Sequence, residues 1–97
     1  MAMKTDRAET IALLALAHIA GDEDLLHRFM ADSGMDSTEL RISAADPAQL
    51  GGILDFILGD EARVLDFAAA AGLDPEEPMR ARLTLSGAYV EGRGTIQ

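Results

Sequence analysis

His18, His27 and the acidic run Asp22-Glu23-Asp24 are the side chains in this chain with types suited to chemistry. An imidazole can shuttle a proton or ligate a metal, and clustered carboxylates can hold a divalent cation. The spacings do not support either use. The histidines lie nine residues apart, not at the i, i+4 separation that places two ligands on one helical face. The acidic run lacks the ordered oxygen-ligand loop and closing glutamate of an EF-hand. Ser33, Ser37, Ser43 and Ser86 sit in no Gly-x-Ser-x-Gly elbow. Gly51-Gly52 follows no strand and forms no phosphate loop. No catalytic residue, metal or cofactor is assigned, and the chain is expected not to be an enzyme.

The elements that carry these residues are written twice. Residues 19–36 laid over residues 57–74 match Ile19/Ile57, Gly21/Gly59, Asp22/Asp60, Glu23/Glu61, Phe29/Phe67, Ala31/Ala69, Gly34/Gly72 and Asp36/Asp74, with no gap and an offset of 38. Internal repetition at such a period marks stacked supersecondary units. The shared letters are turn glycines, capping aspartates and one apolar ring. Where the copies differ, His18 falls on Phe56, His27 on Leu65 and Arg28 on Asp66. Both imidazoles therefore occupy positions that take apolar side chains in the other copy, and packing is their expected role. Any function should lie where the copies differ.

Taken in order, the first helix is expected from about Thr5 to Ala20, with Asp6 and Glu9 at capping-box spacing. Its segment Ile11–Ala20 is apolar nearly all round, with His18 the strongly polar exception, as in a central helix. Gly21 should supply a left-handed turn and Asp22 should cap a second helix running to about Ser33, whose stripe is Leu25, Leu26, Phe29 and Met30. Gly34 and Met35 read as a Schellman ending, and Asp36 with Glu39 caps a short helix through about Ala44. A fourth helix opens at Asp46-Pro47, with Leu50, Ile53, Leu54, Ile57 and Leu58 inward and Asp55 and Phe56 flanking. Gly51-Gly52 in its interior predicts a close helix crossing. Gly59-Asp60 repeats the first corner, and Val64, Phe67, Ala68 and Ala71 face the core from helix five. Gly72 to Pro75 repeats the second, with Asp74 and Glu77 as a cap pair and Pro78 disturbing the start of helix six, which holds Met79 and Leu83. Residues 86–97, with Gly87, Gly92 and Gly94, show no helical pattern and are expected to form a flexible or loosely packed tail. Residues 83–85 and 88–90 are weak strand candidates.

The fold class expected is all-α: a compact bundle of five to six short helices in one domain over residues 1–85, built from two tandem helical-hairpin units at about 8–45 and 46–83. With 97 residues and no cysteine, no disulfide framework or thiolate metal site is available. The apolar run at residues 11–20 is too short to cross a bilayer, so a cytoplasmic protein is expected. Eight basic against 17 acidic residues give a net charge of -9, which repels phosphate backbones and anionic lipid and suits a basic protein partner. Arg63, Arg80 and Arg82 could make a local positive spot, but the C-terminal half of helix six is the expected place for the last two.

The strings Glu9-Thr10-Ile11-Ala12-Leu13, Leu16-Ala17, Arg28-Phe29, Ala44-Ala45-Asp46-Pro47, Leu54-Asp55-Phe56-Ile57-Leu58 and Ala71-Gly72-Leu73-Asp74-Pro75 resemble a family of short alphaproteobacterial proteins, the domain of unknown function of the 3572 type. The resemblance spans about residues 8–83 and implies a helical bacterial protein; it brings no activity or catalytic residue with it. The functional expectation is a non-catalytic protein-interaction or regulatory module, with Met30, Met35, Met79 and Arg28 as the candidate contact surface and homodimerisation as a further expectation. The alternatives are an acidic decoy for a basic nucleic-acid-binding protein, or a small ligand-binding protein or enzyme with a pocket near His18 or His27.

Overall fold

The computed structural model describes residues 3–44 and 46–94 as six helices: α1 (Thr5–Ala20), α2 (Glu23–Ser33), α3 (Ser37–Ala44), α4 (Pro47–Leu58), α5 (Glu61–Ala71) and α6 (Glu77–Gly94). No strand occurs among the described residues. The all-α expectation holds, and the first five helices fall close to the expected bounds. α1 is the central element, touching α2, α4, α5 and α6. Ala8, Ile11, Ala12, Ala15 and Ile19 are fully buried along it, at the three- and four-residue steps of one helical face. The small residues Ala8, Ala12 and Ala15 let neighbouring helices come close, while Leu13 and Leu14 on the other side remain partly exposed.

Around α1 the core is completed by Leu50, Ile53, Leu54, Phe56 and Ile57 of α4, Phe29 of α2, Leu40 of α3, Phe67 of α5 and Ala81 of α6. Phe56 is not a flanking residue, as the stripe on α4 suggests, but part of this core: it meets Phe29 edge-on at 5.1 Å and 80°. That geometry sets the positive ring edge against the negative ring face. Three pairs of residues related by the 38-residue offset share burial or role. Ile19 and Ile57 are both fully buried, Phe29 and Phe67 both sit in the core, and Asp22 and Asp60 both cap helices.

The corners depart from the expected chemistry in an instructive way. Only Gly34 (φ 75°) and Gly72 (φ 70°) are left-handed among the described residues. Gly21 is right-handed at φ -83°; its N–H donates to the Ala17 carbonyl and the next N–H, of Asp22, to Ile19, so the chain passes straight from one helix into the next cap. Gly59 likewise has no positive φ, its N–H donating to Phe56. The two left-handed corners differ from each other as well. At Gly72 the N–H of Leu73 reaches the Ala68 carbonyl at 2.8 Å and that of Gly72 reaches Ala69, the Schellman pair. At Gly34 a single bond runs from its N–H to the Met30 carbonyl, and the N–H of Met35 turns instead to the Ser33 hydroxyl.

Two of the expected capping boxes involve reciprocal or paired bonds. Asp36 and Glu39 exchange side-chain bonds with each other's N–H at 2.8 and 3.1 Å. Glu77 accepts from the Asp74 N–H, while Asp74 accepts from Glu76. The third does not form. α1 starts at Thr5 after an extended Lys4 with no side-chain cap, which places Asp6 inside its first turn, where a negative charge is favoured by the dipole. α6 also runs further than expected. Its backbone is helical to Gly94, so neither a loop from Ser86 nor the strand candidates are present up to that residue. An interior glycine costs only about 1 kcal/mol against alanine, which slows a helix without stopping it. Residues 95–97 lie outside the described residues. Pro78 is fully buried near the start of α6 and leaves no disturbed turn: Glu77 and Arg80 bond back to Asp74 and Glu76.

Candidate functional site

Gly51 shows how α4 and α6 are joined. It is buried, and a Cβ built on it would lie 3.1 Å from the Arg82 guanidinium. The close approach predicted by the glycine pair is therefore made by a side chain, not by a helix backbone. Gly52 beside it is exposed, with nothing within 4 Å of its Cβ position. Arg82 reaches Asp55 through two bonds, Nε to Oδ1 at 2.5 Å and Nη2 to Oδ2 at 3.0 Å, the fork-on-fork geometry of a bidentate pair. Arg80 pairs with Glu76, the residue just before α6, at 2.9 Å. Arg63 donates through Nη1 to the Phe56 carbonyl near the end of α4, and its guanidinium carbon lies 4.1 Å from the Phe56 ring centroid. The three arginines thus make three separate contacts and no common basic spot. Arg80 and Arg82 lie in the first half of α6, not its C-terminal half, because that helix continues to Gly94.

His18 is half-buried, with its ring 5.5 Å from that of Phe67. It borders a shallow cleft of about 540 Å³ with Asp22, Leu25, Arg63, Asp66 and Ala69. On the other side of Arg63 lies a second cleft, of about 440 Å³, bordered by Phe29, Asp32, Ser33, Asp55 and Phe56. His27 is exposed and lines neither. No group of three or more histidine or acidic side chains is placed to hold a metal ion among the described residues. The acidic run instead serves α2: Asp22 accepts from the Leu25 N–H at 3.2 Å, while Glu23 and Asp24 stand in the first turn.

A different surface has the character of a docking site. Between α5 and α6, Leu58, Val64, Leu65, Pro75 and Met79 line an apolar groove with Glu61, Glu76 and Arg80 at its polar parts. Leu65 is 49% and Met79 47% exposed, so two large apolar side chains in the groove lack half their cover. α6 carries apolar residues on two sides. Pro78, Ala81 and Leu85 turn to the core, whereas Met79 and Leu83, one turn apart, are exposed. In the first unit the positions matching Leu65 and Met79 are His27 and Arg41, both exposed. The matching positions in the earlier stretch therefore lack this pair of exposed apolar side chains.

Of the residues expected to form one contact surface, only Met79 lines this groove. Met35 packs on the core at the α2–α3 corner and borders a small concavity with Glu39, Ile42, Asp46 and Gln49. Met30 is half-buried on the α2 stripe and Arg28 is exposed; neither borders the groove. Leu65 was the residue to find from sequence. Its signal was an apolar side chain one position after Val64, off the inward face of α5, opposite a histidine in the other copy.

No helix among the described residues is long and apolar enough to cross a membrane. No curated protein and no solved structure matches the chain. The model of one protein family, described as a protein of unknown function (DUF3572), matches residues 5–88, beyond both ends of the stretch that carries the resemblance, and the chain belongs to that family.

Proposed function

We propose that the protein is a non-catalytic interaction module that docks a protein partner through the α5–α6 groove. The observation that carries this reading is the pair Leu65 and Met79, both about half exposed in one apolar groove that the first unit replaces with His27 and Arg41. Uncovered apolar side chains grouped in a concave surface favour a contact, because burying the exposed half of each contributes about 1 kcal/mol. The catalytic alternative is supported only by the His18 cleft, whose side chains are separately accounted for by the Phe67 contact and the Asp22 cap. The decoy reading is weakened by the use of Asp22, Asp36, Asp60 and Asp74 at the starts of α2, α3, α5 and α6. The test is capture of partners from the native host by the full chain and by its Leu65→Asp variant. A partner retained by the first and lost by the second is expected. Recovery of the chain alone, as a monomer by light scattering, sinks the proposal.

A further inference from the structure

We infer that the occupant of the α5–α6 groove is an amphipathic helix with a basic flank, an inference that rests on the docking function just proposed. The groove presents an apolar floor of Leu58, Val64 and Leu65 on one side and Pro75 and Met79 on the other, the surface into which a helix lays its apolar face. The charges at its edges decide what accompanies that face. Glu61 is exposed and makes no ion pair among the described residues. Arg80, the one cationic side chain lining the groove among the described residues, is already matched by Glu76. The edge therefore has a carboxylate in surplus, within a chain of net charge -9. Lysine or arginine beside the apolar face of the partner would meet Glu61 and be drawn in by the wider field.

A second copy of the chain is a poorer fit. Seating two copies groove to groove would bring the surplus carboxylates and two charges of -9 together, and among the described residues the groove offers no free cation to offset them. A partner with an acidic flank meets the same repulsion. Leu83 lies one turn beyond Met79 on the exposed side of α6 and extends the apolar floor along the helix, which suits a rod-shaped occupant more than a compact small molecule.

The experiment titrates two labelled designed peptides of about 18 residues, long enough for five helical turns, into the full chain. Both have one leucine face; one carries lysine on its flanks and the other glutamate. The lysine peptide should bind at least about tenfold more tightly, with an affinity that falls as salt is raised. Leu65→Asn and Met79→Asn should each weaken it by about tenfold, and Glu61→Gln should lower both affinity and salt dependence. These side chains are exposed, and far-UV circular dichroism checks that each variant is folded. Equal binding of both peptides, or binding unaffected by Leu65→Asn, overturns the inference, as does failure to bind either. A concentration-dependent dimer that Leu65→Asn dissolves overturns it in favour of a second copy. If a native partner is lost from the Leu65→Asp variant while the lysine peptide does not bind, the docking reading stands and the inferred partner chemistry falls.

Discussion

The imidazole of His18 rests against the ring of Phe67 at 5.5 Å, and each residue has its counterpart in the other unit's ring contact. Thirty-eight residues separate His18 from Phe56 and Phe29 from Phe67, and Phe56 meets Phe29 at 5.1 Å. The ring near the end of α1 therefore meets the phenylalanine of α5, and the ring near the end of α4 meets the matching phenylalanine of α2. These exchanged ring contacts run alongside contacts within each half, of α1 with α2 and of α4 with α5 and α6.

That exchange predicts the response at its four rings. Phe67 is fully buried, so Phe67→Ala should cost about 3–5 kcal/mol, in the range of core aromatic truncations. His18→Phe copies the residue of the other unit and should leave stability within about 1 kcal/mol of the parent, because half-buried positions tolerate similar apolar rings. His18→Ala should cost more than His18→Phe. Urea denaturation of the three variants decides it; a severe loss in His18→Phe would mean that the imidazole makes a polar contact that a phenyl ring cannot.

The four corner glycines should divide into two classes on replacement by alanine. Gly34 and Gly72 are left-handed, and a Cβ there costs about 1–2 kcal/mol whatever the open space around it. Gly21 is right-handed, with its nearest Cβ contact an ordinary 3.4 Å to the Ala17 carbonyl. Gly21→Ala should be neutral or stabilising by about 0.4–1 kcal/mol, through loss of freedom in the unfolded chain. Gly59→Ala should behave in the same way. Thermal unfolding of the four variants separates the classes, and equal losses at Gly21 and Gly72 would contradict the assignment.

These glycines also show what sequence can and cannot reveal. The positions of these four corners were readable, since at each a glycine is followed within two residues by a capping aspartate. Its handedness was not, because a glycine permits either hand and the choice follows from how the next helix leaves. Caps fixed the start of α2, α3 and α5 because an aspartate side chain acts within three residues. The continuation of α6 was invisible for the converse reason, since no local signal there either stops or sustains a helix strongly. The groove was half legible: Met79 stood out by type, but Leu65 resembles a core leucine until the rotation of α5 about its axis is known. The Asp55–Arg82 pair spans 27 residues and left only one trace, a glycine at position 51 where helix propensity would favour alanine.

That trace gives a double-mutant prediction. Alanine at position 51 gains about 1 kcal/mol of helix propensity but presses on the Arg82 guanidinium at 3.1 Å. Gly51→Ala alone should therefore be near neutral or destabilising. In an Arg82→Ala background the same change should stabilise, and the coupling from the four-member cycle should be about 0.5–2 kcal/mol. A coupling of zero would show that the arginine yields without cost. Asp55→Asn on its own should cost no more than about 1 kcal/mol, since Asp55 is 57% exposed and solvent screens the pair.

Glu77 links the start of α6 to the start of α1 and should make stability depend on acid pH. One carboxylate oxygen accepts from Arg7 at 2.8 Å and the other from the Asp74 N–H at 2.9 Å. The Arg7 hydrogen bond is the main reason its pKa is lowered, followed by the bond from the Asp74 backbone. A carboxylate with a lowered folded pKa binds fewer protons folded than unfolded, so its contribution is complete above the ordinary glutamate value of about 4.3. It is lost as pH falls from there through the lowered folded value. Glu77→Gln and Arg7→Ala should both be less stable than the parent at pH 7, and their deficits should shrink together below about pH 4. The deficit should be larger for Glu77→Gln, because that change weakens the cap of α6 as well as the link to Arg7. Urea midpoints measured from pH 7 to pH 3 test the claim. A deficit in Arg7→Ala that does not change over that range would show that its effect comes from packing of the arginine stem, not from the charge of Glu77.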